Sequence, residues 1–262
     1  MVYLKGLMTL SENSSINLLA ELMLSSKQTI AFTGAGISVA SGIPSFRGED
    51  GLWSRYDPNT LELSNYYRNP QSCWKVIKEI FYDKLVGVKA NPGHLALTEL
   101  QQMGLLTNIF TQNIDNLHQE SGSQNVYEFH GNTKYFVCKT CKTKHILEDI
   151  NLDDEYPKCP QCGRLVKPDF IFFSEELPQD VITQALHDAE NADLMLIIGC
   201  SGEVYPANQI PLYLKRSGGV CVEINPHKSL YTDSVCKFRI SGKSQDSLQE
   251  LVSAIKQIRK EI

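Results

Sequence analysis

Residues 29–36 read Thr-Ile-Ala-Phe-Thr-Gly-Ala-Gly, a short apolar run that stops on two glycines separated by one alanine. A strand apolar on both faces belongs inside a sheet that is covered on both sides. A Gly-x-Gly turn at its carboxyl end carries backbone N–H groups to a helix start, where the dipole suits a pyrophosphate. Taken alone, Gly34-Ala35-Gly36 fits an ordinary tight turn as well as a phosphate cradle. The third glycine of G-x-G-x-x-G is absent, Val39 standing in its place, and no acidic residue closes the second strand as a hydride-transfer fold requires.

Outward from this stretch the pattern recurs. Apolar runs at Asn108 to Thr111, Val126 to Phe129, Leu194 to Ile198 and Val220 to Ile224 alternate with segments of helical period. Helices are expected over Ile16 to Leu24, over Gln179 to Ala189, and over Pro92 to Met103, with Asn91 as N-cap and Gly104 as stop. A last helix places Leu248, Leu251, Val252, Ile255 and Ile258 on one face. Such alternation defines an α/β chain with a doubly wound parallel sheet. Two stretches interrupt it. Residues 49–90 hold both tryptophans and no strand pattern, so a mostly helical insertion is expected there. Residues 132–168 hold four paired cysteines among Lys, Thr, Pro and Asp, the composition of a small lobe. A lobe that leaves a sheet and returns to it makes a cleft at the junction.

Size and charge narrow the function. The 262 residues, 42% of them hydrophobic, can bury a core unaided. With 25 basic and 30 acidic residues the net charge is -5, so the footprint of a duplex-binding protein is missing and nucleic acid is not expected as a ligand. The longest apolar run, Leu194 to Ile198, is far short of the roughly 20 residues a membrane helix needs, and the N-terminal residues lack a signal pattern. A cytoplasmic location is expected. Eight cysteines in such a chain argue against a disulfide scaffold, and Cys73, Cys200, Cys221 and Cys236 read as small buried hydrophobes.

The other four are the most specific signal. Cys138, Cys141, Cys159 and Cys162 form C-x2-C-x17-C-x2-C, two knuckles that supply four thiolates to one zinc. With every position filled by sulfur the metal has no open site, so its expected role is structural. Thr111-Gln112-Asn113-Ile114-Asp115 puts a polar cluster at a strand's carboxyl end, where open sheets bind ligands. His130 ends another apolar run and suits proton transfer near neutral pH, whereas His94, inside the Asn91-capped helix, reads as structural.

Together these residues resemble a known set. GAGISVASGIPSFRGEDGLW at 34–53, TQNID at 111–115, HG at 130–131, the four cysteines, FFSE at 172–175 and GCSGEVYPA at 199–207 are similar to the sirtuins, the NAD-dependent protein-lysine deacylases, in order along residues 28–252. Ser45, Ser174 and Cys200 depart from the family, which often has Asp or Thr, Gly, and Thr at those places.

The resemblance implies a Rossmann-like domain over residues 1–48, 91–131 and 169–262, interrupted by the helical insertion and cofactor loop at 49–90 and a zinc-ribbon lobe at 132–168. It implies consumption of NAD as co-substrate and one structural zinc. The residues implied at NAD are Gly34, Ala35, Gly36, Ser45, Phe46, Arg47, Gln112, Asn113, Ile114, Asp115, His130, Gly199, Cys200, Ser201, Asn225 and Ser244. His130 and Asn113 would be catalytic, with His130 the base. The partner implied is an acylated lysine in an extended peptide, bound by strand addition between Ile171, Phe173, Ser174 and Glu175 on one side and Gly202, Glu203 and Val204 on the other. The same pocket would serve an ADP-ribosyltransferase or an NAD hydrolase. A dehydrogenase fits poorly without the third glycine, and a zinc-ribbon binding module leaves TQNID and His130 without a purpose.

Neutral acyl groups, acetyl first, are expected. Sirtuins that remove dicarboxylic acyl groups resemble one another in a Tyr-x-x-Arg pair, and the matching window here holds Val76, Ile77 and Lys78. Tyr82 and Lys84 lie a little further on, and Val204-Tyr205-Pro206-Ala207 looks like the strip of that other branch.

Overall fold

A computed structural model describes residues 12–45 and 51–261. In chain order the elements are α1 (Glu12–Ser25), β1 (Thr29–Thr33), α2 (Leu63–Arg68), α3 (Pro70–Lys78), α4 (Pro92–Gln102), β2 (Asn108–Thr111), α5 (Leu117–Glu120), β3 (Val126–Glu128), β4 (Gly131–Cys138), β5 (Lys144–Ile146), β6 (Val166–Phe170), α6 (Gln179–Asn191), β7 (Leu194–Ile198), α7 (Ile210–Arg216), β8 (Val220–Ile224), β9 (Phe238–Ile240) and α8 (Ser244–Glu261). The expected strands and helices form within a few residues of their expected bounds. α7 and β9 are too short to announce themselves in the sequence.

Six parallel strands lie in the order β3-β2-β1-β7-β8-β9. β1 therefore sits where the strand order reverses, the place at which doubly wound sheets open a ligand crevice. Register aligns the carboxyl ends: Thr33 pairs with Thr111 and Ile198, and Ile198 with Ile224. Alternate side chains then feed two cores. Ala31, Ile109, Leu196 and Val222 pack under α1, α4 and α8, while Ile30, Phe32, Phe110 and Ile197 pack under α6 and α7. The Asn91 side chain accepts from Gly93 N, and His94 completes a capping box by accepting from Asn91 N.

β4, β5 and β6 form a separate antiparallel sheet in the cysteine lobe. Although 49–90 and 132–168 are separated along the chain, they share a third core: Tyr66, Trp74, Ile77, Phe81 and Tyr82 of the insertion pack with Phe136, Cys138, Cys159, Phe170 and Phe172. The lobe leaves the main sheet at Gly131 and returns at Phe170, which pair with each other. Gly131 has φ +65°, and a Cβ there would lie 2.0 Å from Asp169 O, so the residue after His130 must be glycine. Among the described residues no helix is long and apolar enough to cross a membrane.

Candidate active site

The loops after β1 and β7 meet backbone to backbone. Gly36 N donates to Gly199 O at 3.0 Å and Gly34 N to Ile198 O at 3.0 Å. A Cβ on Gly36 would stand 2.5 Å from Gly199 Cα. The glycines are thus demanded by this close crossing, which builds the wall of the crevice. Ala35 opens a short 3-10 turn, Ala35–Ser41, against which α8 packs.

Ser38 in that turn joins the two halves of the polar cluster after β2. Its Oγ donates to Asp115 Oδ2 at 2.6 Å and receives Asn113 Nδ2 at 3.2 Å; Asn113 Nδ2 also lies 3.2 Å from Gly34 O. Asp115 Oδ1 accepts from Leu117 N at 3.0 Å. Burial pushes the Asp115 carboxyl up, and the bonds from Ser38 and Leu117 pull it back. Behind Ser38 lies the fully buried His94, whose Nε2 is 3.5 Å from Ser38 Oγ. Ser38 escaped the sequence reading because its role depends on Asp115, which is 77 residues away.

Asn113, Ile114 and Asp115 line a cavity of about 220 Å³ with Ala35, Ser38 and Ile43 on one side and Ile80, Phe81, Lys84 and Leu85 of the insertion on the other. Among the described residues, Asn113 Oδ1 is buried without a partner, and so is the hydroxyl of Ser244 at the start of α8. Unpaired buried polar atoms are costly. A ligand with amide or hydroxyl donors fits this set, as NAD does.

His130 is half-buried at the same sheet edge. Its Nδ1 is 2.9 Å from Gln112 O, which can only accept, so Nδ1 carries the proton and Nε2 keeps its lone pair. Burial lowers its pKa below the ordinary 6.5, only partly offset by the Gln112 contact, which favours a neutral imidazole at pH 7. Asn225 Nδ2 donates to Cys200 O at 3.0 Å, tying the β7 and β8 loops together. The Cys200 side chain instead turns into the core, where burial pushes the thiol up, leaving its backbone at the crevice. Ser201 is exposed beside it, Ser45 O accepts from Leu52 N, and Phe46 and Arg47 lie outside the described residues.

On the first peptide strip, Ile171 N donates to His130 O at 2.8 Å, and Phe173 pairs with Glu62 of the insertion, its N donating to Leu61 O and its O accepting from Leu63 N. Ser174 is exposed with φ +62°. Glu175 was expected to face the peptide, but its carboxylate turns toward Lys167, 3.1 Å away. On the second strip Asn208 holds Gly202 O and Val204 O at 2.9 Å each, with Glu203 exposed between them.

In the lobe the four sulfurs lie within 4.8 Å of one another, with Cys138 to Cys162 and Cys141 to Cys159 at 3.6 Å. A tetrahedral zinc with Zn–S bonds of about 2.3 Å asks for sulfurs ~3.8 Å apart, so this is a structural tetrathiolate zinc site. Thr143 Oγ1 at 2.9 Å from Cys141 Sγ and His145 Nε2 at 3.2 Å from Cys159 Sγ supply outer hydrogen bonds.

A doubly wound sheet with a polar crevice at its switch point and a closed zinc lobe defines a class of nucleotide-dependent enzyme, and comparison with known proteins narrows it. The Sir2 family model matches residues 34–206. The chain is 41% identical over 245 residues to an NAD-dependent protein deacylase of Pyrococcus abyssi, covering 91% of this chain and 97% of that one. To the NAD-dependent protein deacylase of Pyrococcus furiosus it is 42% identical over 247 residues, covering 92% and 98%. A solved Sir2–p53 peptide–NAD+ complex matches with a TM-score of 0.80 at 33% identity, covering 93% of this chain and 97% of that one. The chain belongs to the Sir2 family.

Proposed function

We infer that this chain is an NAD-dependent protein-lysine deacylase that releases nicotinamide and O-acyl-ADP-ribose. The observation that carries the site assignment is the meeting of His130, Asn113 and Asp115 at the carboxyl edge of β1, β2 and β3, beside a cavity with an unpaired amide oxygen. NAD, when bound, supplies the anomeric carbon to which the acyl-lysine oxygen bonds as nicotinamide leaves. Asp115, braced by Ser38 and Leu117, accepts from a carboxamide N–H. The free Asn113 Oδ1 accepts a further donor. His130 Nε2 removes the proton from a ribose hydroxyl, with Gln112 O holding the tautomer that leaves this nitrogen basic. Ala35, Cys200 and Ser201 offer backbone or hydroxyl groups to the phosphates and ribose, along the wall that the crossing of Gly34, Gly36 and Gly199 builds; Asn225 and Ser244 serve the adenosine end.

The substrate is an acylated lysine in an extended segment laid between the strip at 171–175 and the strip at 202–204. The Rossmann-like parts (1–48, 91–131, 169–262) carry NAD, and the insertion (49–90) and zinc lobe (132–168) carry the other wall. A cytoplasmic location is proposed with this function, in keeping with eight cysteines outside any disulfide. Nicotinamide release measured with acylated peptide, with unmodified peptide and with none is the test. Release only with the acylated peptide is expected, and equal release without it would make the chain an NAD hydrolase.

A further inference from the structure

Lys167 in β6 has a side chain only 7% exposed, and its charge serves no step of the chemistry above. Its three ammonium protons are all engaged: Nζ donates to Pro168 O at 2.8 Å, to Phe170 O at 2.6 Å and to Glu175 Oε2 at 3.1 Å. It also lies 4.6 Å from the centroid of the Phe172 ring. The same Glu175 oxygen accepts from Phe172 N at 3.0 Å, while Glu175 N donates to Phe172 O at 3.1 Å. Phe173 is fixed from the other side, its N donating to Leu61 O at 2.8 Å and its O accepting from Leu63 N at 3.3 Å.

Between these anchors stands Ser174, exposed and left-handed at φ +62°, and its own N–H and C=O make no hydrogen bond among the described residues. A serine is kept in that region only where its surroundings over-determine it. The backbone groups of 172 and 173 are committed, so of residues 172–174, among the described residues, Ser174 is the one whose N–H and C=O are both left to offer an extended ligand.

We propose that buried Lys167, paired with the half-buried Glu175, positions residues 172–174, with Ser174 held left-handed, as the edge on which the acylated peptide docks. This rests on the deacylase function inferred above and adds to it two positioning residues that act through the backbone. An ion pair with a buried cation is a poor source of stability against an apolar pair of similar volume, but it fixes one arrangement, and here that arrangement is the docking edge.

Steady-state kinetics with an acetyl-lysine peptide and NAD, on Lys167→Met and Lys167→Arg, tests it. In Lys167→Met the peptide KM is expected to rise about tenfold, with KM for NAD and kcat at saturating peptide within about twofold of wild type. Lys167→Arg, which can reach the same oxygens, is expected to restore most of the peptide KM. Lys167→Met/Glu175→Gln leaves no lone buried charge and serves if the single variant fails to fold; the same split is expected of it. An unchanged peptide KM in a folded variant, or parallel loss of kcat and of NAD KM, would overturn the positioning role. Absence of peptide-dependent nicotinamide release in the wild type would instead overturn the deacylase inference.

Discussion

His94 couples the stability of the fold to pH. It is fully buried against His118, with ring centroids 4.9 Å apart, and desolvation lowers its pKa from 6.5 to about 4. A histidine kept neutral in the fold takes up its proton in the unfolded chain first, so stability is full above 6.5 and falls as the pH drops toward the folded value. With 6.5 for the unfolded imidazole and about 4 for the folded one, His94 alone removes ~2 kcal/mol at pH 5 and ~3.4 kcal/mol near pH 3, relative to pH 8. For a chain of this size ~2 kcal/mol corresponds to a fall in Tm of roughly 4–8 °C. His118 is lowered by the same burial and adds to the loss. Urea unfolding of wild type and His94→Gln at pH 8 and pH 5 isolates the effect, because Gln keeps an acceptor for Asn91 N, and comparing each protein with itself at the two pH values cancels the lost contacts to Ser38 and His118. The variant is expected to lose ~2 kcal/mol less than wild type between the two pH values. Equal losses, or a folded His94 titrating near 6.5 by NMR, would refute the reasoning.

Three further outcomes are expected. His130→Ala should fold and bind NAD yet lose roughly 10²- to 10⁴-fold in turnover, and the acid limb of wild-type kcat/KM should lie below 6.5, because burial lowers the imidazole from that value; wild-type turnover in the variant would remove His130 from the reaction. Elemental analysis should find one zinc per chain, and stripping it should expose Trp74, now 2% exposed in the core shared with Cys138 and Cys159, as a red shift in emission; an active, zinc-free protein would contradict this. Acetyl-lysine peptides should exceed succinyl-lysine peptides in kcat/KM, since Lys84, the cation that lines the cavity among the described residues, is already bonded to Tyr56 OH at 2.7 Å; a tenfold succinyl preference would show that it turns inward.

Much of the frame is legible in the sequence because it is local. The two-sided run at 29–33, the Asn91 cap and the cysteine spacing each follow from a few consecutive residues. The convergence of Gln112, Asn113 and His130 could be read as well, since parallel strands share a carboxyl edge. What stays hidden depends on distant partners. Ser38 matters through Asp115 and His94, Cys200 turns inward, and Glu175 finds Lys167. The common core of insertion and lobe joins segments far apart in the chain, so no periodicity in either announces it.

The central claim is that acyl transfer to NAD consumes both substrates together. Mass spectrometry after incubation with an acetyl-lysine peptide and NAD should find nicotinamide, deacetylated peptide and O-acetyl-ADP-ribose in equal amounts. Deacetylated peptide with free acetate and intact NAD, or ADP-ribose formed without the peptide, would contradict it.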